Sequence, residues 1–403
     1  MKSTPLVRTV RHDIGTKPFI VIWEVTRACQ LVCQHCRADA QHDPAPGQLT
    51  TAEGKALLDS IATYPKPYPL VVLTGGDPFE RGDLEELTEY GTSLGLNVSL
   101  SPSVTPRLTR ERLEGLREAG GSALSLSLDG AVAETHDYFR GFSGTFAATV
   151  DAAEMVTDIG YRLQINSTIT SNNAKEAPAL LQRVISMGAK LWSVFFLVPT
   201  GRGTGLGALS PDEREDMLHW LYDVSDRVAI KTTEAPQYRR VVLQRTAAKE
   251  QGKPGYSGGE LYRYLTAETT RLLGEVPAQP RRPRPPMAIN AGSGFVFIDH
   301  IGDVYPNGFL PLHCGNVKQQ ALPEIYEHSP VFRDLRNPSR WSGKCSVCEF
   351  ADVCGGSRST AYAVTGDPLA SDPTCSYVPK AWLELQAQQA GRAESAEQER
   401  ARP

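Results

Sequence analysis

No stretch of this chain offers the roughly 20 consecutive apolar residues that a membrane-spanning helix requires. Neither sign of charge dominates: 42 lysines and arginines against 46 aspartates and glutamates leave a formal net charge of −4. The first lack argues against a membrane span, and the second against a global attraction to nucleic acid or an anionic membrane surface. Met1-Lys-Ser-Thr-Pro-Leu-Val-Arg8 has neither an apolar core nor a small-residue cleavage site, so no signal peptide is expected. Cysteine is also scarce, with 8 in 403 residues, but it is clustered rather than scattered. In a long chain without an export signal, clustered thiols point to metal ligands before disulfides. The expected setting is the cytoplasm at low oxygen.

What is present is a regular alternation. The length and a 40% hydrophobic content suggest two or more domains with a large core. Apolar runs of strand length occur at 19–23, 70–73, 96–101, 123–129, 161–168 and 191–198. Between them, helical spacing of apolar residues covers 51–60, with Thr51 as its cap, then 84–94, 109–119, 146–159 and 177–187. Six strands alternating with helices predict an α/β fold on a parallel sheet with right-handed crossovers. Periodicity leaves open whether that sheet is flat or curled. Residues 210–275 read as mostly helical, with stripes at 212–224 and 238–248 and a further strand at 230–233. A proline–arginine linker follows at 278–286, and 294–299 with 302–306 reads as a β-hairpin. The expected divisions are a lead (1–18), a core (19–209), a helical bridge and linker (210–286), a cysteine-rich domain (287–380) and a tail (381–403).

The chemistry concentrates in Arg27-Ala-Cys29-Gln-Leu-Val-Cys33-Gln-His-Cys36-Arg37, directly after the first strand. A four-iron cluster takes four thiolates, so three within eight residues leave one iron open to a small molecule. A zinc site or buried thiols are the alternatives, but His35 and His42 do not make the second ligand pair that zinc usually recruits.

The C-x3-C-x2-C spacing of Cys29, Cys33 and Cys36 resembles the signature of the radical S-adenosylmethionine (SAM) enzymes. The resemblance implies a 4Fe–4S cluster whose open iron chelates SAM, and one-electron cleavage to a 5′-deoxyadenosyl radical. It also implies a partial (β/α)6 TIM-like barrel. Ligands in such sheets lie beyond the carboxyl ends of the strands. There Gly75-Gly76-Asp77-Pro78 resembles the family's Gly-Gly-Glu-Pro loop, which binds the SAM amino group, with Asp in place of Glu. Ser127, Asp129 and Asn166 match positions that contact SAM ribose and carboxylate, and Val198 one that borders adenine. His136-Asp137-x2-Arg140-Gly141 resembles a loop of the superfamily, in which Arg140 pairs with a carboxylate of SAM or substrate or with an internal one. Arg202 is a candidate substrate contact or a solvated arginine.

Near the C-terminus, Cys345-x2-Cys348-x5-Cys354 and Cys375 resemble the complete four-thiolate second cluster of the SPASM/twitch extension, a small α+β domain. Zinc remains the alternative. The first cluster of that extension lacks ligands here: Asn307, Arg358 and the Asn290-Ala-Gly stretch stand where its thiols would be. One auxiliary 4Fe–4S cluster, able to take an electron, is therefore expected. Cys314 is left over, as a small buried hydrophobe, a redox-active thiol or a ligand.

The run from Cys354 to Cys375 looks closest to the heme-pathway members, the alternative heme synthase and heme d1 maturases. A tetrapyrrole propionate is thus the expected substrate, with Arg140, Arg202 and Arg358 as possible carboxylate partners and a flavodoxin or ferredoxin as reductant. A maturase of ribosomally made peptides is the rival, and the 18-residue lead leaves no room for a leader-binding domain. A non-catalytic iron–sulfur carrier or sensor would need neither the glycine loop nor an open iron.

Overall fold

The computed structural model describes residues 6–277, 281 and 283–389. Residues 1–5 of the expected lead, 278–280 and 282 of the expected linker, and 390–403 of the expected tail lie outside the described residues.

The apolar runs form parallel strands that pair in chain order: β1 (Ile20–Glu24), β2 (Leu70–Thr74), β3 (Asn97–Leu100), β4 (Ala123–Ser127), β5 (Arg162–Ile169), β6 (Leu191–Phe196) and β7 (Ile230–Thr233). The crossovers carry α1 (Thr51–Ala62), α2 (Leu84–Ser93), α3 (Arg110–Glu118), α4 (Ala133–Arg140), α5 (Thr145–Asp158) and α6 (Ala177–Ser186). Then come α7 (Pro211–Asp223), α8 (Gln237–Glu250) and α9 (Glu260–Leu273), so the stretch read as a helical bridge also contributes β7, which pairs parallel with β6.

Local chemistry sets the ends of these elements. The cap of α1 is Thr50, one residue before the expected Thr51, because Thr50 and Glu53 satisfy each other's backbone donors in a capping box. The stretch around His136, read as a loop, is helical. Glu134 in its first turn and Arg140 in its last suit the helix dipole, and Gly141 closes it at φ 69°. Eight residues carry too little periodicity to announce that helix.

The C-terminal segment joins the same sheet. After β8 (Asn290–Ala291), strand β9 (Gly294–Ile298) pairs parallel with β1, Ile20 opposite Phe295. The expected hairpin follows, with β10 (Asp303–Tyr305) antiparallel to β9 and β11 (Gly315–Asn316) on its far side. Helices α10 (Leu322–His328), α11 (Pro330–Leu335) and α12 (Arg358–Thr365) complete this part. The sheet curls, so that residues of β7 and β9 face one chamber from opposite sides.

The core lies between sheet and helices, where Val21, Trp23, Val71, Leu73 and Trp192 are fully buried. The inner face differs. Parallel strands covered on both sides usually read as unbroken apolar runs, yet β5 alternates Arg162, Gln164 and Asn166 with Leu163 and Ile165. The polar set looks into the chamber. Among the described residues, no helix is long and apolar enough to cross a membrane.

Candidate active site

The loop after β1 gathers Cys29, Cys33 and Cys36 into one small cluster with Leu31 and Ala40. Backbone N–H groups already point at sulfur: Leu31 donates to Cys29 Sγ at 3.4 Å and Ala40 to Cys36 Sγ at 3.5 Å. Arg140 approaches Cys33 Sγ at 3.8 Å. Burial pushes Cys29 up to about 11 and raises Cys33 as well. Thiols in that state ionise readily only beside a cation, which is the role of a bound metal centre. Donors to sulfur and buried, convergent thiols fit an iron–sulfur cluster.

The loop is fixed by ion pairs at its base. Arg37 lies 2.9 Å from Glu24 at the end of β1 and 4.3 Å above the Phe297 ring, and His300 reaches Glu24 at 3.3 Å. Burial opposes ionisation of Glu24, but Arg37 and His300 outweigh it and hold the carboxyl below its usual range. His35 is pushed down to about 4 by burial, with Asp129 pulling the other way, so its ring is neutral near pH 7.

Of the expected SAM contacts, Gly75 and Gly76 lie directly under this loop. A Cβ on Gly75 would come within 2.5 Å of the Thr26 carbonyl, and one on Gly76 within 2.4 Å of the Ala28 carbonyl. Only glycine permits that approach. The Asp77 carboxylate is buried and turned inward, accepting from the Phe79 and Ser103 N–H groups and from Thr105 Oγ1. Burial raises it to about 6 despite these donors. Pro78 opens a short 3-10 turn behind it. Ser127 and Asn166 are register partners on β4 and β5, and Asn166 Oδ1 accepts from Gln164. Val198, just past β6, is buried under the Thr200–Gly203 turn.

The expected carboxylate contacts have internal partners. Asp129 is ion-paired with Arg140 and accepts from the Thr168 N–H at 2.7 Å. Arg202 donates to the Cys33 carbonyl at 2.9 Å and lies 3.7 Å from Asp39. Arg358 is buried, 4.9 Å from the Trp341 ring centroid, and donates to the carbonyls of Pro368 and Ala370.

At the C-terminal end, Cys345, Cys348, Cys354 and Cys375 line a single cavity. Burial pushes Cys348 up to about 11 and Cys354 to about 12, while the N–H groups of Phe350 and Gly356 oppose the shift. Cys375 is raised by burial, against Arg240, Lys344 and the Tyr377 N–H. Among the described residues, no three His, Cys, Asp or Glu side chains are close enough to hold a single metal ion. Four thiols around one hollow, each of three with an N–H two residues on, fit a cluster. Cys314 lies apart, partly buried, donating to the Leu312 carbonyl at 3.3 Å and pushed up to about 12 by burial.

The positions where further thiols were absent hold polar ties. Asn290 Nδ2 donates to the carbonyls of Cys354 and Gly356, and Asn307 Nδ2 to Glu234 at 2.5 Å. Ser357 joins the same Glu234 at 2.6 Å.

A chamber reaches toward both cysteine sites, although no cysteine among the described residues lines it. Two adjoining cavities of about 470 and 220 Å³ share Ile20, Leu70, Gln164 and Lys231 as walls. One reaches Arg37, next to Cys36, and the other reaches Arg239, which donates to the Val353 carbonyl at 2.9 Å. Phe295, Phe297 and Phe309 supply apolar walls. Asn166, Asn290 and Asn307 among the wall residues were singled out from the sequence, whereas Glu24, Arg37, Arg239, Gln164, Lys231 and the phenylalanines were not. The one signal for the chamber walls was the polar alternation of β5, where Gln164 and Asn166 alternate with Leu163 and Ile165.

Residues 23–183 match the radical SAM superfamily model, and residues 290–349 match SPASM, an iron–sulfur cluster-binding domain. The chain is 40% identical over 366 residues to the AdoMet-dependent heme synthase of Oleidesulfovibrio alaskensis, covering 90% of this chain and 88% of the relative. It is 39% identical over 370 residues to the AdoMet-dependent heme synthase of Methanosarcina barkeri, covering 90% and 97%. Among solved structures, Streptococcus suis SuiB bound to precursor peptide SuiA superposes with a TM-score of 0.65 at 14% identity, over 90% of this chain and 76% of that one.

Proposed function

The chain belongs to the radical SAM superfamily and carries a SPASM module, and from that premise we propose that it is an AdoMet-dependent heme synthase acting on the propionates of a tetrapyrrole. It is an enzyme, an oxidoreductase whose cofactors are a 4Fe–4S cluster with SAM and an auxiliary iron–sulfur centre. The observation that carries the substrate reading is the chamber: aromatic walls, Arg37 beside Cys36 at one side, and at the other Arg239 and Asn290, which hold the backbone of Val353 and Cys354. Cavities of about 300–1,000 Å³ suit ligands of this size.

Cys29, Cys33 and Cys36 would hold the first cluster, and Cys345, Cys348, Cys354 and Cys375 a single auxiliary one. When bound, the first cluster with SAM supplies a 5′-deoxyadenosyl radical. Gly75 and Gly76 let the turn after β2 pack against the Thr26 and Ala28 carbonyls, where it would present backbone to the SAM amino group, and Arg37 anchors the cysteine loop to Glu24 and Phe297. The Phe295, Phe297 and Phe309 rings exclude water from the reacting carbon and hold a flat macrocycle by its faces. Arg239 and Asn290 pin the Val353–Gly356 backbone against the chamber wall. Conversion of a propionate to a vinyl group removes one hydrogen atom, one electron and CO2; the radical would take the hydrogen atom and the auxiliary centre the electron, so a pocket that reaches toward both cysteine sites suits it. A flavodoxin or ferredoxin in the cytoplasm would deliver the starting electron.

The likeness to peptide-bound SuiB, at 14% identity, is one of fold. The test is anaerobic incubation of reconstituted enzyme with SAM, dithionite and an iron porphyrin bearing propionates. Mass spectrometry should find a product lighter by CO2 and two hydrogens per propionate. Release of 5′-deoxyadenosine with every such porphyrin left unchanged would overturn the reading.

A further inference from the structure

Five cations gather at the end of the chamber remote from the cysteine loop. Arg162 is the first residue of β5, Lys190 precedes β6 and Lys231 is the second residue of β7, while Arg8 and Arg284 come from segments that meet nearby. Parallel strands all begin at this end, whereas Cys29–Cys36 and Gly75–Gly76 sit where the strands finish.

These charges lack counter-charges among the described residues. Among the described residues, Arg8 donates to the Pro285 carbonyl at 2.9 Å and Arg162 to Ser122 Oγ at 3.4 Å. The side chains of Lys190, Lys231 and Arg284 make no hydrogen bond or ion pair there. Among the described residues, one carboxylate lines these walls, Glu234, and it is taken by Asn307 and Ser357. Like charges crowded in a partly enclosed space raise one another's free energy. Lys231 is pushed down to about 8, by burial first and then by Arg284. Arg284 is itself lowered by burial and then by Arg8, Arg281 and Arg162. An anion relieves all of them at once.

The geometry points to Lys231 and Arg284, with Arg8, Arg162 and Lys190 around them, as the residues that bind the substrate carboxylates that do not react. This rests on the tetrapyrrole reading and adds an orientation to it. The molecule enters with an acidic edge at the strand starts and the reacting propionate toward Cys29–Cys36. The chamber thereby selects substrates with carboxylates on opposite edges of a flat apolar body.

Binding of two iron-free porphyrins to the reconstituted holoenzyme, a tetrapropionate porphyrin and its tetramethyl ester, tests this without turnover. Followed by absorbance, the free acid should bind wild type tightly. Lys231→Met and Arg284→Met should each weaken it about tenfold, the size of one charge-assisted contact. Lys231→Arg should keep the affinity. The ester should bind weakly and ignore all three substitutions. Arg284 lies at the exposed rim, so its variant carries the test even if Lys231→Met fails to fold. Equal affinity of acid and ester for wild type would overturn the proposal, as would wild-type affinity of both Met variants for the acid. Those results leave the tetrapyrrole reading standing. Binding of neither porphyrin to wild type would overturn both.

Discussion

Asn290 holds Cys354 from behind: its Nδ2 donates to the Cys354 carbonyl at 3.1 Å and to the Gly356 carbonyl at 2.9 Å. Asn290 also lines the chamber, so a substrate wall and a cysteine loop share one side chain. Asn290→Ala removes both bonds and leaves two carbonyls unanswered, at a cost of about 1–3 kcal/mol. The C-terminal centre should then lose iron faster to a chelator, while reductive SAM cleavage persists. An unchanged release rate would show the tie to be incidental.

Seven cysteines in a set of three and a set of four predict two four-iron clusters, about 8 irons per chain. Replacing Cys29, Cys33 and Cys36 together by Ala should leave about 4 irons and abolish SAM cleavage. Iron analysis near 12 per wild-type chain would sink the two-cluster count.

Cys345→Ala should separate the two sites. Cleavage of SAM to 5′-deoxyadenosine should continue within about threefold of wild type, while decarboxylated product falls at least about a hundredfold, the scale of losing a required group. Chromatography of both products from one reaction decides it. Normal product yield would make the second site a structural support.

Gly76→Ala drives a Cβ to 2.4 Å from the Ala28 carbonyl, a backbone atom with no room to yield. SAM affinity should fall at least about tenfold, or 1.4 kcal/mol, with both iron signals retained. Calorimetry with SAM measures it, and wild-type affinity would remove this loop from the SAM site.

Lys231, pushed down to about 8, loses its proton as pH rises through that value. Arg284 opposes its charge, and Arg8, Arg162, Lys190, Arg239 and Glu234 line the walls around it. The KM for a carboxylate substrate should therefore climb above about pH 8 with little change in kcat. In Lys231→Arg the guanidinium stays charged, so the climb should flatten. A wild-type KM level from pH 7 to 9 would contradict the placement of that charge.

The order of strands and helices was legible because each apolar run is long enough to announce its own period. So were the two cysteine sets, because a cluster ligand set has its spacing written in consecutive residues. The glycine loop could be read for the same reason, since Gly75 and Gly76 sit at a strand end. Local pattern did not reach what depends on contacts between remote residues. β9 pairs with β1 across some 275 residues, Ile20 against Phe295. Arg140, Arg202 and Arg358 looked alike as candidate carboxylate contacts, yet a guanidinium is long and flexible and takes whichever partners the fold brings near. Here these are Asp129, the Cys33 carbonyl and the Pro368 and Ala370 carbonyls beyond α12. Consecutive residues were enough to specify a parallel α/β core and thiols for iron. The position of the chamber and the charges that face it came from folding alone. A wall is made of side chains from β1, β5, β7 and β9 that share a direction but no neighbourhood in the chain.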